Sequence, residues 1–221
     1  MDPRQSWRMS HSGSDNSSWF RGLIALLILG LWWTSCEAEF DLAADTDVGE
    51  SADSGEPEVA ALTDSERELY ELINAYRVEN GLPEVPLSYS LTMVARAHVD
   101  DLNDHSSEIV IPGECNLHSW SDHGPWTGCC YDPDHTQAAC MWNKPSELTN
   151  YNGEGFEISY WTSGSAFPEA ALNSWRGSPG HNAVILNEGT WSVPWLAMGV
   201  GIDGNYAHVW FGRFPDPDDF P

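Results

Sequence analysis

A short break between two apolar helical runs constrains the fold of this chain more than any other stretch. Leu172 and Trp175 fall on one helical face, and Pro179-Gly180 then interrupts the run. His181 opens the next apolar run, residues 183–186. The pattern predicts two helices joined by a tight turn, with His181 in the first turn of the second. A histidine in that place suits a ligand or a general base, and it equally suits a helix-opening residue with no chemistry.

Two amphipathic helices are predicted nearer the N-terminus. A capping-box pattern opens the first at Thr63, and Asn80-Gly81 is a strong signal for its end. The second starts near Ser88 or Ser90, and its apolar face includes His98. We expect His98 to be a hydrogen-bonded core residue rather than a ligand.

The C-terminal half has the pattern of strands and one more helix. Residues 155–161 form a candidate strand, and Pro168 stands in the first turn of the helix that leads to Trp175. Residues 196–202 and 206–214 predict two strands joined by a hairpin turn at 203–205.

A long, turn-rich segment, residues 106–153, separates these halves and holds four of the five cysteines. An even set of cysteines in an exported chain predicts two disulfides, with three pairings possible. A vicinal bond is the least favoured pairing, and a zinc site of four thiolates is a competing interpretation whose spacing lacks C-x-x-C pairs. The four are Cys115, Cys129, Cys130 and Cys140.

The first 36 residues have the pattern of an export signal. Three arginines precede an apolar run, residues 23–33, that has the length of a signal-peptide core. Small residues before Cys36 resemble a bacterial lipoprotein cleavage site, at which Cys36 would be acylated; ordinary cleavage and an uncleaved anchor are the alternatives. Residues 37–60 are predicted to be an acidic disordered linker, 61–216 the folded domain and 217–221 a tail.

The charge balance limits the partners. With 9 basic and 34 acidic residues, the formal net charge is −25. Nucleic acid is therefore excluded as a partner on electrostatic grounds, and a membrane would be reached only through an N-terminal anchor. We expect a monomer in the cell envelope or secreted.

The order of motifs resembles the CAP superfamily, which comprises cysteine-rich secretory proteins, antigen 5 and pathogenesis-related 1 proteins. The most specific match is the stretch Ser174-Trp175-x-x-Ser178-Pro179-Gly180-His181-Asn182, which is similar to the bacterial W-x-x-SPGH form. Four weaker pieces accompany it. They are residues 71–77 with 81–83, residues 91–98, residues 116–119 and residues 156–159, followed after the main motif by Gly199-Val200-Gly201.

The resemblance implies an α+β fold, namely an α-β-α sandwich with a central antiparallel sheet, and a cleft where two histidines and acidic residues meet. The family's two histidines fall on His118 and His181, and its strand glutamate falls best on Glu157, with Glu154 as the second choice. A further glutamate of the animal members is replaced here by Ser178. Ser178, Ser119 and Trp175 are expected to line the cleft.

Two imidazoles and a carboxylate predict an open site for Zn²⁺ or another divalent cation. The resulting expectation is an exported binding module whose ligand is an unknown protein, glycan or lipid. Two alternatives stay open: a peptidase-like hydrolase that uses the same cleft, and a lipid or sterol carrier. Neither Ser178 nor Ser119 stands in a G-x-S-x-G motif, which weakens the hydrolase alternative.

Overall fold

The computed structural model describes residues 61–218 and Phe220. The predicted export signal, the predicted acylation site Cys36 and the predicted acidic linker lie outside the described residues. In the described part of the chain, no helix combines the length and the apolar character that crossing a membrane requires.

The order of elements is two long helices, two short helices, a strand, two further helices and a β-hairpin. The helices are α1 (Asp64–Glu79), α2 (Tyr89–Ile109), α3 (Ala138–Trp142), α4 (Lys144–Leu148), α5 (Pro168–Gly177) and α6 (Pro179–Ile185). The strands are β1 (Gly155–Trp161), β2 (Ala197–Asp203) and β3 (Tyr206–Gly212), and a single 3-10 turn covers Gly189–Trp191.

The helix ends follow the signals in the sequence. Thr63 and Glu66 form the predicted capping box of α1, and Gly81 follows its end with a φ of 77°. Ser88 caps α2 by accepting the backbone N–H of Leu91 at 3.0 Å. Helix α2 continues to Ile109, so the segment predicted to be irregular from residue 106 begins later, and it also contains α3 and α4.

The three strands form one antiparallel sheet in the order β1-β3-β2. β3 is therefore central, and β1 is an edge strand that pairs through β3 alone. Because side chains alternate between the faces of a strand, Phe156 and Ile158 lie on one face, whereas Glu157 and Ser159 lie on the other.

Helices cover both faces of the sheet. The face that carries Phe156 and Ile158 packs against apolar residues of α1, α5 and α6. The opposite face packs against α2, whose Leu91, Val94 and Ala95 share a core with Trp210 of β3. The architecture is the α+β arrangement expected, an α-β-α sandwich with a central antiparallel sheet.

Two disulfides cross-link the long segment between α2 and β1. Cys115 pairs with Cys130, and Cys129 pairs with Cys140. The vicinal pairing is therefore absent, and the alternative zinc site of four thiolates is wrong because all four sulfurs are bonded in pairs. Both bridges meet at adjacent cysteines, so the loop that carries His118 is fixed close to α3.

The last described residues pack on the start of α2. The carboxylate of Asp216 accepts the backbone N–H of Ser90 at 2.8 Å and also the hydroxyl groups of Ser88 and Ser90. The ring of Phe220 lies 5.4 Å from that of Tyr89. Residues beyond 216, predicted to be a tail, thus contact the folded domain.

Candidate functional site

The sheet face that meets α2 carries a polar group inside an otherwise apolar layer. Glu157 and Ser159 come from β1, and His208 lies directly opposite Ser159 on β3. All three are buried, with exposed fractions of 7%, 8% and 0%. Burial of a carboxylate is tolerated only where donors or cations satisfy it, so its neighbours determine what the site can do.

His98 reaches Glu157 from α2. Its Nδ1 lies 2.6 Å from Oε1 of Glu157, and its Nε2 lies 2.9 Å from the backbone oxygen of Ser119. A carbonyl oxygen only accepts, so Nε2 must carry a proton, and an ionised Glu157 requires a proton on Nδ1 as well. His98 is therefore an imidazolium paired with Glu157, and its ring stacks on Trp120 at 4.1 Å. The expectation of a hydrogen-bonded core histidine is confirmed.

His118 approaches the same carboxylate from the disulfide-linked loop. Its Nδ1 lies 2.7 Å from Oε2 of Glu157, and its side chain is 18% exposed. The side-chain oxygen of Asn116 accepts the backbone N–H of His118 at 3.0 Å, which fixes the loop at this point. Because Nδ1 is engaged by the carboxylate, Nε2 is left for another partner.

His208 completes the set of three imidazoles around Glu157. Its Nδ1 lies 2.8 Å from Oε1 of Glu157 and 3.1 Å from the hydroxyl oxygen of Ser159. Burial lowers the pKa of His208 to about 4, against the attraction of Glu157. The ring is therefore neutral at pH 7, and its buried Nε2 has no hydrogen-bond partner among the described residues.

The charge on Glu157 follows from these contacts. Burial alone raises the pKa of a carboxyl, but the electrostatic interactions with His98 and His208 and the hydrogen bonds from His118 and His208 outweigh burial. The pKa of Glu157 consequently lies well below its ordinary value. One buried anion thus orients three imidazoles, of which only His118 is open to solvent.

His181 is the third residue of α6, as the break at Pro179-Gly180 predicts. Burial lowers the pKa of His181, and the nearby charge of His118 lowers it further. The imidazole of His181 has no hydrogen-bond partner within residues 61–218. It is thus a neutral, half-buried ring that is close enough to His118 to respond to its charge.

A sequence profile described as the cysteine-rich secretory protein family, CAP, matches residues 70–208. This chain belongs to the CAP family. No protein with a curated description matches the sequence.

Three solved structures resemble this CAP domain. An extracellular SCP-domain protein from Bacillus anthracis is 19% identical in sequence, with a TM-score of 0.47. The match covers 70% of this chain and 45% of the Bacillus anthracis chain. An outer surface protein from Borrelia burgdorferi is 14% identical over 68% and 96%, with a TM-score of 0.45. A cysteine-rich secretory protein from Staphylococcus aureus is 18% identical over 66% and 38%, with a TM-score of 0.40. The chain spans less than half the length of the first and third.

Of the two carboxylates proposed for the CAP site, Glu157 contacts His118 and Glu154 does not. Glu154 precedes β1, is exposed, and lines a separate cavity with Trp191 and Arg213. The period of two along β1 explains the difference, because Glu157 shares a face with Ser159 and the α2 layer.

The three residues expected to line the cleft have other surroundings. Ser119 is fully buried and its hydroxyl accepts the backbone N–H of Tyr131 at 2.9 Å. Trp175 is also fully buried, and its indole N–H donates to the backbone oxygen of Ser159 at 2.9 Å. Both are therefore structural supports beneath the site, which corrects the expectation that they line an open cleft. Ser178 is half-buried at the junction of α5 and α6.

The serines of this CAP domain do not form a nucleophilic triad. Ser159 is the serine nearest to an imidazole among the described residues, with its hydroxyl oxygen 3.1 Å from Nδ1 of His118. That same Nδ1 meets Glu157, whereas a triad needs the serine and the carboxylate on opposite ring nitrogens. The geometry therefore gives no support to a serine hydrolase.

Sequence reasoning did not assign a role to His208 or Ser159. Their signal was a polar side chain at a buried position of an apolar strand, which in β3 is His208 between Ala207 and Val209. Finding the pair required the register of β1 against β3, which no local turn specifies.

Proposed function

We propose that this protein is an exported CAP binding module in which His118 and His181 hold a divalent cation. The observation that carries the proposal is the 2.7 Å contact between Nδ1 of His118 and the buried carboxylate of Glu157. A carboxylate behind a histidine fixes the ring and leaves Nε2 as the ligand atom, which is the usual support of zinc-binding histidines.

The donor set fits a borderline-soft cation such as Zn²⁺. His118 offers Nε2, and the depressed pKa of His181 keeps that ring neutral, as coordination requires. Glu157 belongs to the support rather than to the ligands, because both of its oxygens already accept from imidazoles. With two protein nitrogens, the remaining positions would be open to water or to a group of the bound partner. Such a cation would supply a Lewis acid to which an oxygen or nitrogen of a partner can bind.

A zinc titration tests the proposal. We expect Zn²⁺ to raise the melting temperature of the disulfide-bonded chain, because an ion that binds the native state stabilises it. His118→Ala and His181→Ala should each reduce that response. The matched control is His135→Asn, a histidine of the same loop with a φ of 59°, a conformation that asparagine tolerates.

The outcomes separate the alternatives. A wild-type zinc response in both His118→Ala and His181→Ala would place the cation elsewhere and overturn the proposal. If either variant fails to fold, imidazole ¹⁵N NMR of the wild type supplies the answer, since only coordinated rings shift on addition of Zn²⁺. Unchanged resonances of His118 and His181 would then exclude the site.

Export and anchoring form a separate part of the proposal. The apolar run of residues 23–33 and Cys36 support cleavage before Cys36 and acylation of its thiol. Mass spectrometry of the membrane-extracted protein should find a mature chain that begins at acylated Cys36. A soluble, unmodified chain with another start would reject lipidation while leaving export intact.

A further inference from the structure

A second group of histidines lies at the far end of α2, apart from the Glu157 cluster. His105, Glu108 and His123 place one ligand atom each within 4.8 Å of one another. His105 and Glu108 come from the last turns of α2, and His123 comes from the disulfide-linked loop. The exposed fractions of their side chains are 28%, 58% and 47%, so an ion can reach them from solvent.

The two oxygens of Glu108 each face a different imidazole. Oε2 lies 3.0 Å from Nε2 of His123, and Oε1 lies 3.8 Å from Nδ1 of His105. The two rings stack with centroids 4.1 Å apart and an angle of 19° between their planes. Ligand atoms around a tetrahedral zinc ion are separated by about 3.4 Å, so the two rings, which are stacked here, would turn until one nitrogen of each faces the same ion as the carboxylate of Glu108.

The position of His123 is set by contacts that do not involve its ring. Asp101 accepts the backbone N–H of Ser121 at 2.8 Å and its hydroxyl as well. The oxygen of that hydroxyl accepts the backbone N–H of His123 at 3.0 Å. Asp101 and His105 stand four residues apart on α2 and therefore share a face. The loop is thus held along the helix face that carries His105 and Glu108.

The geometry points to a second divalent-cation site formed by His105, Glu108 and His123, suited to Zn²⁺ or Cu²⁺. Two imidazoles and one carboxylate are the ligand types that these ions prefer. Oδ1 of Asp122 lies 4.0 Å from Nε2 of His123 and is a candidate for the fourth position. The net charge of −25 raises the local concentration of cations around the chain. The bound ion would link the end of α2 to the disulfide-linked loop.

The test is a calorimetric zinc titration of the full-length chain with its disulfides intact. The double variant His105→Gln/His123→Gln should bind one equivalent less than the wild type, and Glu108→Gln should bind at this site at least about tenfold more weakly. Glu114→Gln is the matched control, an exposed glutamate near the same loop, and should match the wild type.

Residue-resolved NMR distinguishes this site from the one at His118 and His181. Zn²⁺ should shift the ring nitrogens of His105 and His123, and should do so equally in the His118→Ala variant. Equal stoichiometry in the wild type and in His105→Gln/His123→Gln would overturn the inference, as would unshifted rings at saturating Zn²⁺. If Zn²⁺ shifts the rings of His105 and His123 but not those of His118 and His181, only the proposed function is refuted.

Discussion

At the scale of single residues, Glu157 determines the protonation of the imidazoles around it. Its two oxygens meet Nδ1 of His98, His118 and His208 at 2.6 to 2.8 Å. The carboxylate makes His98 a cation. It also fixes a proton on Nδ1 of His118 and on Nδ1 of His208, so each of these rings is held in one tautomer. A single side chain thus connects a core ion pair to the one imidazole of the three that reaches solvent.

Glu157→Gln should destabilise the domain strongly. The substitution leaves a buried imidazolium at His98 without its counter-charge, and breaking a buried pair in this way costs about 3–5 kcal/mol. The free energy of unfolding in urea, measured with the disulfides intact, checks this. Glu154→Gln is the control, because Glu154 is exposed and should change stability by less than about 0.5 kcal/mol. A loss in Glu157→Gln no larger than in this control would mean that His98 is neutral.

The sequence was sufficient to predict some residues of the cluster around Glu157 but not others. His118 and His181 stand in short motifs, whereas the motifs left Glu157 and Glu154 as first and second choices for the carboxylate. His98 could be predicted as a core residue because it lies on the apolar face of α2, but its partner comes from 59 residues away. His208 and Ser159 could not be paired, since the register of β1 on β3 depends on long-range packing.

At the scale of elements, the approach of α2 to β2 depends on two glycines. A Cβ on Gly199 would lie 2.1 Å from the backbone carbon of Leu91, and one on Gly201 would lie 2.7 Å from that of Ala95. Both contacts are with helix backbone, which cannot move aside as a side chain can. The motif Gly-Val-Gly in β2 therefore brings α2 close enough for His98 to reach Glu157.

Gly199→Ala should push α2 away from the sheet. We expect a loss of unfolding free energy of about 1–3 kcal/mol or more, as overpacking of a tight contact produces. The ring resonances of His98 should shift as well, because its distance to Glu157 changes. Gly177→Ala is the matched control, since a Cβ there meets nothing within 4 Å. Equal unfolding free energies for the two variants would show that the helix and the sheet can separate without cost.

The disulfide-linked loop shows where prediction from the sequence reached its limit at this scale. Four cysteines indicated two bonds, but composition left three pairings open. The observed pairing depends on Cys129 and Cys130 pointing to opposite partners, Cys140 and Cys115. That arrangement follows from the bridge between Trp120 and Cys129 and from α3, neither of which a single-sequence pattern specifies.

At the scale of the whole molecule, lowering the pH changes the stability of the fold in two opposite ways. The chain carries a net charge of −25, so protonation of exposed carboxylates relieves self-repulsion as the pH falls toward 4. The buried cluster acts in the other direction. Its neutral His208 and ionised Glu157 both have depressed pKa values, so acid favours the unfolded chain, in which each takes up a proton more readily.

These two effects act mainly in different pH ranges, and this difference yields the final prediction. The pKa of His208 is about 4 in the folded state and 6.5 in the unfolded state, so its contribution is complete above pH 6.5 and is lost as the pH falls toward 4. By pH 5 the loss should reach about 2 kcal/mol. His181 changes with the same sign, and carboxylate relief develops mainly below pH 5. The groups around His208 are His98, His118, Glu157, Ser159 and Tyr206.

Urea unfolding of the wild type at pH 7, 6 and 5 measures the loss directly. The free energy of unfolding should decrease from pH 7 to pH 5. The slope of this free energy against pH should be smaller in His208→Gln, in which the titrating ring is absent. His135→Asn should keep the wild-type slope, because that substitution leaves the buried cluster intact. If His208→Gln and the wild type lose stability equally, another group titrates. If neither loses stability, His208 is already protonated in the folded protein, and the charge distribution around Glu157 must be assigned differently.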